Sequence, residues 1–140
     1  MSADKTFLIA QIEIDLPVEQ VWMLWTLPEH IIKWNNASAD WYNEKVENDL
    51  RPEGKFLFVM ARKDKKESFN FEGTYNEVVK YKRITYTLND DRRSIISFEG
   101  SYPTKLTETF QAEPNHPLNL QKDFCQAVLN RFKQYALTQI

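Results

Sequence analysis

The stretch from Pro117 to Leu137 constrains the fold more than any other. Phe124, Cys125, Val128, Leu129, Phe132, Tyr135 and Ala136 recur at i, i+1, i+4, i+5, i+8, i+11 and i+12. On a 3.6-residue period these positions form one apolar stripe. Gln121, Lys122, Gln126, Asn130, Lys133 and Gln134 lie mostly off it, where water can solvate them. No glycine interrupts the run, and Pro117 stands at its start, where a missing N–H costs little. A helix of this length is about 30 Å long, close to the diameter of a small domain. It needs a broad apolar partner, which the middle of the chain supplies as a series of strands.

Taken in order, Phe7 to Ile14 alternates: Leu8, Ala10, Ile12 and Ile14 share one face, as in a half-buried strand. Pro17 opens a helix whose apolar side is Val18, Val21, Trp22 and Trp25. A second short helix follows, with Pro28 in its first turn and Thr26 and Glu29 at capping-box spacing. The expected strands are Trp41 to Leu50, Lys55 to Arg62, Ser68 to Val79, Lys82 to Leu88, Arg93 to Glu99 and Lys105 to Ala112. Lys55 to Arg62 is apolar on both faces and belongs in the sheet interior. Gly73 suggests a bulge within its strand. The short turns between strands imply antiparallel neighbours.

The expected fold is therefore α+β: a curved antiparallel sheet of about six to seven strands around a long C-terminal helix, with two short helices after the first strand. With 140 residues and no linker or repeat, residues 1–140 read as one domain.

The net charge of −2 gives no concentrated basic face for nucleic acid. Lys65-Lys66, Lys80 to Arg83 and Arg92-Arg93 fall at expected turns and read as solvated charges. One cysteine excludes a disulfide framework. Met1 to Thr6 is polar, with no apolar core of a secretory signal, and no apolar run approaches the ~18–20 residues of a membrane span. These features point to a cytoplasmic protein. His30 and His116 have no partner at metal-ligand spacing, so neither a metal nor another cofactor is expected. No Ser-His-Asp elbow, phosphate loop or dinucleotide fingerprint is present.

Aromatic residues make up 14% of the chain, enough to build a core and still line a pocket. Candidates for the space between helix and sheet are Trp34, Phe58, Met60, Phe71, Tyr75, Tyr86, Phe124, Val128 and Phe132. Tyr75 and Tyr86 could each place a hydroxyl in an apolar wall. Glu108, between Leu106 and Phe110, shares their face if the two-residue period holds. If that face is the inner one, a carboxyl group points into the cavity and must neutralise or find a partner. Arg62, which continues the Phe56, Phe58, Met60 face, is the candidate partner. If the strand twists or Glu108 lies at its solvated end, the side chain meets water instead. Cys125, on the helix stripe, reads as a small buried hydrophobe rather than a nucleophile.

Four stretches carry a family resemblance: Leu16-Pro17-Val18-Glu19-Gln20-Val21-Trp22, Leu27-Pro28-Glu29-His30-Ile31-Ile32-Lys33-Trp34, Leu50-Arg51-Pro52-Glu53-Gly54-Lys55-Phe56, and Phe124 to Tyr135. In this order the chain resembles the helix-grip fold of the START-like or SRPBCC superfamily, and within it the AHSA1-like domains named for the activator of Hsp90 ATPase. The resemblance covers nearly the whole chain. Two departures stand out: Glu53 replaces one of two usual glycines, and Glu108 stands where the family shows an apolar residue. The Hsp90 activators carry an additional N-terminal domain for which this sequence has no room, so the resemblance does not imply co-chaperone activity.

The superfamily includes lipid carriers, hormone receptors and polyketide cyclases, and three functions follow as expectations. The first is binding of a small apolar, lipid-like or aromatic ligand between helix and sheet. The second is a cyclase- or aromatase-type enzyme in which Glu108, with Tyr75 or Arg62, moves protons. The third is a co-chaperone-like protein that binds a chaperone partner through its surface, which a filled core with an exposed apolar patch would favour. A homodimer through an exposed sheet edge is also open.

Overall fold

Alternating burial along the strands builds one apolar wall. In the computed structural model, which describes residues 6–139, the chain forms β1 (Phe7–Ile14), α1 (Val18–Thr26), α2 (Pro28–Trp34), β2 (Trp41–Asn48), β3 (Lys55–Arg62), β4 (Ser68–Val79), β5 (Arg83–Leu88), β6 (Arg93–Glu99), β7 (Thr104–Gln111) and α3 (Leu118–Leu137). The polar stretch at residues 1–5 lies outside the described residues. The strands form one antiparallel sheet in the order β1-β7-β6-β5-β4-β3-β2. It curls into a half-barrel with α3 against its inner face, as the helix-grip pattern predicts.

Consecutive strands β1 and β2 lie at opposite edges of the sheet. The α1–α2 segment connects them across the inner face and closes one end of the half-barrel. There Trp34 stacks on Trp25 with ring centroids 4.6 Å apart, and both rings meet Phe132 edge-on, at 4.9 and 5.0 Å. The Trp34 indole N–H donates to the Leu24 carbonyl at 3.0 Å, which satisfies the polar atom this burial would otherwise strand.

Register places the inner-face residues in rows. Tyr75 pairs with Tyr86, Tyr86 with Ser94, Ser94 with Phe110 and Phe110 with Leu8. One row further along, Ile84, Ile96, Glu108 and Ala10 lie side by side. The bulge in β4 falls between Tyr75 and Glu77, not at Gly73. Gly73 answers a different need: a Cβ there would stand 2.5 Å from the Thr87 carbonyl oxygen and 3.0 Å from the Phe56 ring. The turn into β3 keeps a left-handed residue, with Glu53 at φ 69°. At the next position, Gly54, a Cβ would meet the Asp49 carbonyl oxygen at 2.1 Å.

Two further local expectations are corrected. Thr26 and Glu29 form no capping box. Leu27 is the N-cap residue of α2, and the Thr26 hydroxyl donates instead to the Trp22 carbonyl at 2.7 Å. The turn between α1 and α2 is too tight to leave Thr26 outside the first helix. Nor is every polar residue of α3 merely solvated. The Gln126 amide bonds both the N–H and the carbonyl of Gln11 on edge strand β1, at 3.2 and 3.0 Å. At the opposite edge, Asn43 and Asn48 of β2 donate to the carbonyls of Asn35 and Thr26. Each edge is thus partly occupied by the protein's own amide side chains.

Candidate functional site

The two halves of α3 meet the sheet differently, and a cavity results. From Cys125 onward the stripe is tight: Cys125, Leu129, Phe132 and Ala136 are buried. In the first turns Leu118, Leu120 and Phe124 remain exposed. Between that first half and the sheet lies a cavity of about 460 Å³, within the range that holds small-molecule ligands. Its deep wall is aromatic. Phe56 lies 5.0–5.8 Å from Phe58, Phe71, Tyr75 and Tyr86, measured between ring centroids. Leu120, Phe124 and Phe69 line it near the exposed mouth.

The structure brings Trp34, Phe58, Met60, Phe71, Tyr75, Tyr86, Glu108, Phe124 and Val128 to this cavity. Phe132 is the exception. It is fully buried between Trp25 and Trp34 and belongs to the packed core beyond the cavity's end. The apolar stripe places Phe132 on the correct side of the helix, but a stripe carries no information about depth.

Glu108 faces inward, as the two-residue period predicts, and the surface it retains opens on the cavity. The Cys125 thiol donates to Oε1 at 3.0 Å, and the Tyr86 hydroxyl to Oε2 at 3.4 Å. Burial pushes the carboxyl group above its usual range, and these two hydrogen bonds draw it partly back. Cys125 and Tyr86 are themselves held protonated, first by burial and then by the nearby carboxylate. A thiol in that state is a hydrogen-bond donor, not a nucleophile.

Arg62 is not the partner of Glu108. It does continue the Phe56, Phe58, Met60 row, but at the outer end of β3. There its guanidinium bonds Asp64 at 2.8 Å and Glu67 at 2.5 Å across the hairpin turn. Acidic residues two and five positions away reach it at far lower entropic cost than a carboxyl group across the sheet. Tyr75 does not reach Glu108 either; its hydroxyl donates to Asn48 Oδ1. The proton-moving pair expected of a cyclase is therefore not assembled around Glu108. Among the described residues no cluster of three or more His, Cys, Asp and Glu side chains is placed to hold a metal ion. Among the same described residues no helix is long and apolar enough to cross a membrane.

The mouth is fixed by Gln121. Its amide accepts from the Glu113 N–H at 2.7 Å and donates to the carbonyls of Glu113 and His116 at 2.9 and 3.0 Å. The loop between β7 and α3 is thereby tied to the first turns of the helix.

The model of the family described as activator of Hsp90 ATPase homolog 1-like protein matches residues 15–136. The chain belongs to the AHSA1-like family. Among solved structures, an AHSA1-like protein from Aeromonas hydrophila is 32% identical, covers 96% of this chain and 94% of its own, and superposes with a TM-score of 0.90. A protein from Cytophaga hutchinsonii is 36% identical, with coverages of 98% and 94% and a TM-score of 0.80. A Nitrosomonas europaea protein at 20% identity, with coverages of 99% and 98% and a TM-score of 0.83, shares the fold. No curated protein matches the chain.

Within this AHSA1-like frame, the sequence pattern missed several residues that shape the cavity. Phe56 is the hub of the aromatic wall, and its place on the Phe58 face was a usable signal. Cys125 touches Glu108 because it lies one helical turn from Val128 on the same stripe. Asn48 and Ser94 are polar residues on inner-face rows, where alternation alone would have located them.

Proposed function

We propose that the protein binds a small or medium-sized apolar ligand, aromatic or lipid-like in body, between α3 and the sheet. One observation carries this reading: the helix-grip core is not filled but encloses about 460 Å³ against a continuous aromatic wall. Leaving so much apolar surface unpacked forgoes stability that a folded chain normally gains by collapse. A ligand of matching chemistry recovers it. The fold is one that often serves ligand or partner binding, which agrees. A surface-binding chaperone partner would be favoured by a filled core, and the cavity weighs the other way. Binding is also favoured over turnover, because Glu108 has beside it only a thiol and a phenol held protonated.

Native mass spectrometry of the purified protein, compared with the denatured sample, tests this directly. The expected result is an added mass of a few hundred daltons, in keeping with a cavity of this class, that departs on unfolding. An unliganded mass, together with no binding of saturating apolar aromatic probes, would overturn the proposal.

A further inference from the structure

Polar side chains such as Asn48, Tyr75 and Ser94 interrupt the cavity's apolar lining, but Glu108 is the carboxyl group set in its sheet wall, and it has no cation paired with it. Among the described residues Glu108 makes no ion pair, and only Cys125 and Tyr86 contact its oxygens. The basic side chains at the mouth are already engaged: Arg92 Nε bonds Asp90 at 2.8 Å, and His116 pairs with Glu113 at 3.3 Å. Both neighbours of Glu108 are donors, one on each oxygen. Each oxygen thus has a donor beside it and is placed to accept, and a cation brought against the group would favour the charged form that burial alone disfavours. What the site lacks is positive charge. The nearby aromatic wall would receive one well, because ring faces carry negative partial charge and hold substituted ammonium groups. Tyr86 links the two features, being part of the wall and a donor to Glu108.

We infer that the cavity selects apolar ligands bearing a substituted ammonium group, which sits against Glu108 at the end of the aromatic wall. This rests on the cavity being a binding site and adds the charge of its ligand. Binding would convert an isolated carboxylate into a desolvated pair, the arrangement in which a charge contributes most to selectivity.

The test uses two probes of one shape: phenethyltrimethylammonium and its neutral carbon isostere, (3,3-dimethylbutyl)benzene. Calorimetry or fluorescence on the full chain should find the cation bound at least about tenfold more tightly. In Glu108→Gln, which keeps the shape and one acceptor oxygen but loses the charge, the preference should vanish while thermal unfolding confirms the fold. Independently of any variant, N-methyl protons of the bound cation should give nuclear Overhauser contacts to Glu108 and Cys125. Equal affinity for the two probes, a preference that survives Glu108→Gln, or N-methyl contacts elsewhere would overturn the inference yet leave the cavity reading intact. Failure of both probes to bind would remove both.

Discussion

The two halves of α3 share one amphipathic pattern and reach opposite outcomes. Phe132 is 0% exposed and Phe124 is 54% exposed, although eight residues separate them on the same stripe. The difference lies in what stands opposite. Phe132 meets Trp25 and Trp34, which α1 and α2 bring across the end of the half-barrel. Phe124 faces the part of the sheet that those helices do not cover. The C-terminal half of α3 thus supplies stability and the N-terminal half leaves room. One helix can perform both tasks because a stripe of side chains fixes direction, whereas the partner fixes depth.

Substitutions should separate the halves. Phe132→Ala removes a ring enclosed by two tryptophans and should destabilise the fold by about 3–5 kcal/mol, measured by urea unfolding. Leu129→Ala, equally buried, should cost about 2–5 kcal/mol. A loss near zero at either position would mean that the closed end is not the structural anchor.

Next in size is the pH dependence of stability. The folded state holds the Glu108 carboxyl above the usual carboxylate range, so its favourable contribution is present below that range. It is lost as pH rises from the ordinary carboxylate pKa through the raised one. Glu108→Gln should therefore be more stable than the wild type at neutral pH, with the difference shrinking as the solution is acidified. Urea midpoints at several pH values would show it, and a difference independent of pH would contradict a buried, isolated carboxyl group. Cys125 and Tyr86 are pushed upward and do not titrate in that window.

At the junction of the halves, Val128 is half-buried and lines the cavity. Val128→Trp should weaken binding of an aromatic probe by at least about tenfold while changing stability by less than about 1.5 kcal/mol, since the ring enters space that is already there. A large loss of stability would show that the space is smaller than it looks. The smallest effect belongs to the mouth: Leu120→Ser, at a position 59% exposed, should stay within about 0.5 kcal/mol of the wild type in unfolding experiments.

Much of this architecture was legible in the sequence. Alternation in Phe7–Ile14 gave that strand's faces, the run Lys55–Arg62, apolar on both faces, gave a strand inside the sheet, and the two-residue period turned Glu108 inward. The failures share a cause. Arg62 was assigned by face alone, but Asp64 and Glu67 in the adjoining turn capture it first. Phe132 was assigned to the cavity by stripe alone, but the two indoles that seal it come from a segment about 100 residues earlier. Thr26 and Glu29 had the spacing of a cap without the chain direction of one. Period and spacing are local properties. Whether a cavity exists depends on how volumes add up across the fold, and no local pattern records that sum.

The most direct measurement is of where an apolar molecule sits. Intermolecular nuclear Overhauser contacts from (3,3-dimethylbutyl)benzene to assigned methyl groups would decide it. Contacts to Val128, Leu88 and Ile96, which line the cavity, are the predicted result. Contacts confined to Ile9 and Ile95 on the exposed side of the sheet, or none at saturating probe, would contradict the account.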